Sequence, residues 1–360
     1  MKRTGMLFLV LCLALFLAAC AKAEDPDNLF EIDPALSGSA PAPAPLEEPE
    51  AAPADAGCYP YGNMQKNAPP GGFMLYGGEV VFFHNQLLYA FDPATEEVNL
   101  LCKDATCSHI ACISGAPFAN VEQYGGTLYA MDAGWQITEL QGGKYERIAE
   151  GGVYSFWHAG GKLYAVTQDG SLVTFEKNGK PRILVDEYTS IWNVVFGQYL
   201  YGNSTKGVTR VDLSAPQPEV EFVVEGDVSQ LIDGEHIYYM SYAEETGSLY
   251  RCNLNGGGAE LLLEQQVLPA SWNFDEDYLY FRLYDDTFFE GGDDLGSVIY
   301  RMKKDGPAEA EPIAEFPENV YQIYIVPGYD KLFITKREGD GVYLVAKDGS
   351  SVVELEFPDV

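Results

Sequence analysis

Positive charge is scarce in this sequence. Its 360 residues hold 22 Lys and Arg against 54 Asp and Glu, a formal net charge of -32 at pH 7. Such a field repels phosphate backbones and anionic lipid surfaces, which argues against nucleic acid or acidic membranes as partners. Long apolar runs are scarce too: after Ala19 no stretch approaches the roughly 20 residues that span a bilayer. Helical periodicity with caps is missing beyond the N-terminus. Recognisable catalytic patterns are missing as well, with no GxSxG elbow, HExxH pair, Walker loop or GxGxxG after a strand. The four histidines, His84, His109, His158 and His236, share no local motif.

What is present begins at the N-terminus. Lys2 and Arg3 precede an apolar run from Met6 that closes on Leu17-Ala18-Ala19-Cys20. The run is too short for a spanning helix, and a plain signal peptide needs no thiol after its cut site. Residues 1–19 therefore read as a lipoprotein signal, with Cys20 as the lipidated first residue of the mature chain. Removing the signal takes away two positive charges, so the net charge moves from -32 to -34. The expected location is the outer side of a cell membrane, held by lipid alone.

Residues 20–57 change composition sharply, with SGSAPAPAPLEEPEAAPADAG rich in Ala, Pro and carboxylates. Such a segment buries too little apolar surface to offset its ordering entropy and reads as an extended spacer. The folded part is expected over residues 58–360, where hydrophobic and aromatic residues supply an ample core.

That part repeats. GGEVVFF, GGTLYAM, GGKLYAV, FGQYLYG, DGEHIYY, DEDYLYF and GYDKLFI place equivalent residues at Val81, Tyr129, Tyr164, Tyr201, Tyr238, Tyr280 and Phe333, spaced 48, 35, 37, 37, 42 and 53 apart. A period near 40 with four strand-sized runs per unit predicts an all-β chain, a β-propeller of seven four-stranded blades, with six or eight as the alternative. The third unit shows the plan: VYSFWH, KLYAVT, SLVTFEK and PRILVDE are separated by Gly160-Gly161, Asp169-Gly170 and Asn178-Gly179 turns. The recurrent Leu-Tyr pairs are expected to pack between blades.

Leu-Tyr-Ala-Phe-Asp at 88–92 and Leu-Tyr-Ala-Met-Asp at 128–132 resemble the YWTD repeat of low-density-lipoprotein-receptor propellers. Together with the lipobox, the acidic spacer and LCKDATCSH at 101–109, the chain resembles the propeller lipoproteins of Gram-positive gut bacteria, grouped with YWTD-like propellers of unknown function. That resemblance implies extracytoplasmic anchoring and a propeller, and brings no activity with it.

One constellation has chemical potential. Cys102, Cys107, His109 and Cys112 fall within an insertion at 102–112, after the strand-like VNLLC. Thiolates and imidazole suit tetrahedral Zn2+, while an exported chain can instead bond two of these cysteines. Both readings stay open, and the odd count of mature cysteines left after Cys20 (Cys58, Cys102, Cys107, Cys112, Cys252) leaves one thiol unpaired in a monomer. Cys252, inside LYRCNL, reads as a small buried hydrophobe. Asp285, Asp286, Glu290, Asp293 and Asp294 could chelate Ca2+ but lack an EF-hand pattern and read better as a solvated loop. Trp157, Trp192 and Trp272 precede their Leu-Tyr strands at similar distances; interblade packing explains them better than ligand stacking.

These features predict a non-catalytic binding or protein-interaction module with an extracellular protein or glycan as partner. The alternative is a carbohydrate-active enzyme, a polysaccharide lyase or glycoside hydrolase, on a propeller scaffold.

Overall fold

Twenty-eight strands and no helix make up the described part of the chain. The computed structural model describes residues 73–84, 87–102, 120–132, 134–141, 144–149, 151–241, 247–284, 297–306, 309–326, 328–336 and 341–358. The strands form seven sheets, each built from four consecutive antiparallel strands, and the sheets form a ring: a seven-bladed β-propeller. Blade 1 starts at Met74–Tyr76 and blade 7 ends at Val352–Glu354, so the seven-unit count and its register both hold.

The first strand of each blade lies innermost. Asn120–Tyr124, Val153–Ala159, Ile191–Phe196, Val228–Ile232, Val267–Phe274 and Val320–Ile325 begin blades 2 to 7, and the first strands of blades 6 and 7 pack directly on each other. The fourth strands face outward; Pro181–Val185 in blade 3 and Val352–Glu354 in blade 7 are largely exposed. Two-residue turns join the first and second strands of blades 1 to 4, and Gly77-Gly78, Gly125-Gly126 and Gly160-Gly161 all have positive φ, which glycine adopts without Cβ strain.

Burial explains the repeat. One apolar cluster fills each of the seven interfaces between neighbouring blades. Tyr201, Tyr238 and Tyr280, which carry the repeat, sit inside three of them. Each also faces an Arg on the third strand, which in turn faces a Glu on the fourth: Tyr201–Arg210–Glu221, Tyr238–Arg251–Glu260 and Tyr280–Arg301–Glu311. The rung places an aromatic in the core and an ion pair at the rim of blades 4, 5 and 6.

Among the described residues the ring closes without exchanging a strand between blades 1 and 7. Blades 7 and 1 share a cluster containing Val80, Phe82, Phe91, Phe333 and Leu344. Phe73, just before the first strand, stacks on Phe82 at 4.5 Å and on Phe333 at 4.6 Å. Phe357, just after the last, stacks on His84 at 4.1 Å and meets Phe82 edge-on at 6.1 Å. Residues from both ends of the described chain therefore seal one seam.

Candidate functional site

The sequence-predicted site residues fall unevenly on the structure. Cys20, Cys107, His109 and Cys112 lie outside the described residues, as do Asp285, Asp286, Glu290, Asp293 and Asp294. Cys102 is partly buried just beyond the fourth strand of blade 1, where the predicted insertion begins. Cys252 is buried between blades 4 and 5, where burial pushes its thiol up to about 12. Trp157 and Trp272 are interblade core residues, as expected; the Trp192 side chain lies outside the described part.

At the ring's centre the innermost strands carry many buried polar residues, among them Glu122, His158, Asn193, Ser229, Gln230, Ser271, Asn273 and Gln322. Several of them have a structural task. An innermost strand has sheet neighbours on one side only, so backbone groups on its axial edge need other partners. Side chains from the preceding blade supply some of these. Asn273 Nδ2 donates to the Ile323 carbonyl at 2.9 Å and Arg282 Nη1 to the Val320 carbonyl at 2.9 Å, while Ser271 Oγ donates to the Tyr321 carbonyl. Asn203 Nδ2 does the same for Val228 O, at 2.9 Å, between blades 4 and 5. Within blade 4 the backbone approaches polar groups so closely at Gly202 that a Cβ there would lie 2.5 Å from Asn193 Oδ1 and 2.8 Å from Tyr188 OH.

Between blades 2 and 3 this arrangement acquires chemical character. Glu122 Oε1 accepts the His158 backbone N–H at 3.1 Å, and Glu122 Oε2 lies 2.9 Å from His158 Nδ1. The imidazole stacks on Tyr124 with ring centres 4.7 Å apart and lies 4.3 Å from the Tyr129 ring. Tyr124 OH accepts Gly161 N–H at 2.9 Å, so the same seam is tied at its turn. Burial first, and then the nearby Glu139 carboxylate, raise the Tyr129 hydroxyl above its ordinary range. A carboxylate that fixes one imidazole nitrogen is the geometry by which a histidine is oriented for proton transfer. Sequence reasoning missed this pair, because 36 residues separate its members and each strand alone reads as ordinary core.

A second set of charges crosses the blades on the turns. Lys304 Nζ is 2.8 Å from Asp233 Oδ2, and Lys347 Nζ is 3.0 Å from Asp275 Oδ2. Burial alone would raise both carboxyls; the facing ammonium groups and backbone N–H donors outweigh it and hold both below the usual carboxylate range.

No family pattern matches the chain, and no curated protein matches it either. Solved structures match it in fold. A candidate 6-phosphogluconolactonase from Bacteroides uniformis is 14% identical, with 79% of this chain and 93% of that one covered and a TM-score of 0.49. Oligogalacturonate lyase from Vibrio parahaemolyticus is 10% identical over 78% of this chain and 85% of its own, with a TM-score of 0.46. BamB from Moraxella catarrhalis is 12% identical over 75% and 82%, with a TM-score of 0.40. At these identities and scores none carries an argument about activity.

Proposed function

We propose that this chain is a lipid-anchored envelope protein whose propeller is a non-catalytic module that binds an extracellular protein or glycan. The anchor reading rests on Leu17-Ala18-Ala19-Cys20 and on the resemblance to propeller lipoproteins. The observation that carries the binding reading is the use of buried polar side chains. Asn203, Ser271, Asn273 and Arg282 bond to the backbone of the neighbouring blade and brace the ring as a frame. A rigid frame that presents loops at two ends and a broad rim suits recognition.

Metabolic labelling with a fatty acid tests the anchor: the wild type takes up label and partitions with membranes, while Cys20→Ala does neither. Passing envelope fractions and glycans over the immobilised mature chain tests binding, with a retained partner expected. In this reading two of Cys102, Cys107 and Cys112 are bonded, which peptide mass spectrometry without reduction reveals; stoichiometric zinc with all three thiols free would reverse that assignment.

The Glu122–His158 pair supports a second reading, a carbohydrate-active enzyme. Polysaccharide turnover that disappears in both Glu122→Gln and His158→Gln while the fold persists would favour the enzyme over the binder.

A further inference from the structure

The ring-closing seam carries a groove on its rim. A cavity of about 460 Å3 runs between the fourth strand of blade 1, Glu97–Leu100, and the C-terminal stretch 353–358. We propose that this groove docks an extended, basic segment of a partner protein; the inference rests on the binding reading above and names the surface and the chemistry of the partner.

The wall chemistry favours such a ligand. Val353, 46% exposed, and the partly buried Phe357 supply apolar surface beside the core residues Val98 and Leu355, which also line the groove. Carboxylates stand around that surface. Glu96 pairs with Lys331 and Glu354 with Lys336, the latter at 2.6 Å, so two of them are committed within the protein. Glu97 and Glu356 carry no ion pair among the described residues. A ligand with alternating apolar and cationic side chains would cover Val353 and meet those two carboxylates together.

The backbone adds a second term. Among the described residues, Glu97–Leu100 and Val352–Glu354 are the outermost strands of their sheets, each paired on one side only. Their free edges offer main-chain donors and acceptors that an extended segment can use, as in strand addition. Polyanions are repelled by the same carboxylates, and a second copy of this chain would bring its own net charge of -32. A basic partner strand is therefore the occupant to which apolar surface, unpaired edge and charge all point.

The test uses the full mature chain and a fluorescent octapeptide of alternating Lys and Val, followed by anisotropy, with a Glu/Val octapeptide as the charge control. Glu97→Lys combined with Glu356→Lys is expected to weaken Lys/Val binding by about tenfold. Glu146→Lys combined with Glu264→Lys changes net charge equally at exposed sites outside the groove, and is expected to weaken it by no more than about twofold. Thermal melts check that both variants stay folded. Equal weakening by the two pairs, equal binding of the Glu/Val peptide, or no binding of Lys/Val by wild type overturns the groove. An envelope partner retained equally by wild type and the Glu97/Glu356 variant overturns the groove while sparing the binder. Groove-specific peptide binding with no envelope partner retained counts against the binder alone.

Discussion

Lys304 Nζ, on a turn of blade 6, lies 2.8 Å from Asp233 Oδ2, on a turn of blade 5. Asp233 Oδ1 also accepts the backbone N–H groups of Glu235 and His236, at 2.9 and 2.7 Å. One carboxylate therefore shapes its own turn and ties it to the next blade. Lys347 and Asp275 repeat the contact between blades 7 and 6 at 3.0 Å. The sign of the pH dependence follows. Both carboxyls titrate lower in the folded chain than in the unfolded one, so their contribution is complete above the unfolded value of about 4 and fades as pH falls through the folded values. Urea unfolding followed from pH 7 down to pH 3 should show falling stability, and Asp233→Asn should flatten that dependence while lowering stability at neutral pH. An unchanged slope in Asp233→Asn would contradict the assignment.

Asn273 shows what the buried axial polar groups contribute. Its Nδ2 donates to Ile323 O and its Oδ1 accepts Phe274 N–H at 2.9 Å, so replacement leaves a buried acceptor and a buried donor unmet. Asn273→Leu is expected to lower stability by about 2 kcal/mol despite its added apolar surface, because unsatisfied buried polar groups cost more than a methyl contact returns. Denaturant titration reads the change; a neutral or stabilising result would show that water meets those groups instead.

The thiol of Cys252 gives a cleaner chemical test. Burial pushes it up to about 12, so almost no thiolate exists at pH 8, and the residue is closed to solvent at 2% exposure. Iodoacetamide should leave Cys252 unmodified in the native chain and alkylate it rapidly in denaturant, as peptide mass spectrometry would show. Fast native labelling would mean that blades 4 and 5 separate readily.

Much of this architecture is legible in the sequence because it is local. Strand-sized runs, glycine-rich turns and Leu-Tyr pairs recur along the chain, and Tyr238 is buried for the same reason as Tyr201 and Tyr280: each second strand turns that position toward the next blade. The contacts between blades are not local. Asn273 meets a backbone carbonyl 50 residues away, and any side chain there could follow Ile323, so no residue pattern announces the bond. Glu122 and His158 are hidden similarly: each sits on a strand whose alternation reads as core, and only the ring brings them together. Cys252 was legible, since strand alternation in LYRCNL sets it on one face with Tyr250 and Leu254, away from Arg251 and Asn253.

The seam between blades 7 and 1 tests whether aromatic packing replaces a shared strand. In the other six interfaces the two blades follow one another in the chain, whereas here the two ends of the described chain meet. Phe73 and Phe357 approach Phe82 from the two ends, and Lys331 pairs with Glu96 across the same seam. Removing one ring loses apolar burial and opens a space beside Phe82 and His84. Phe357→Ala is expected to cost about 2 kcal/mol, less than a fully enclosed phenylalanine because its side chain is only partly buried. Phe73→Ala should cost at least as much, since Phe73 contacts Phe82, Tyr324 and Phe333 together. If the seam is where the ring first opens, hydrogen exchange in Phe357→Ala will accelerate in Glu79–His84 and Lys331–Lys336 before it changes in Tyr199–Ser204, on the far side of the ring. Uniform acceleration across all three strands would instead mean that the propeller opens as one cooperative unit, with no weak point where its ends meet.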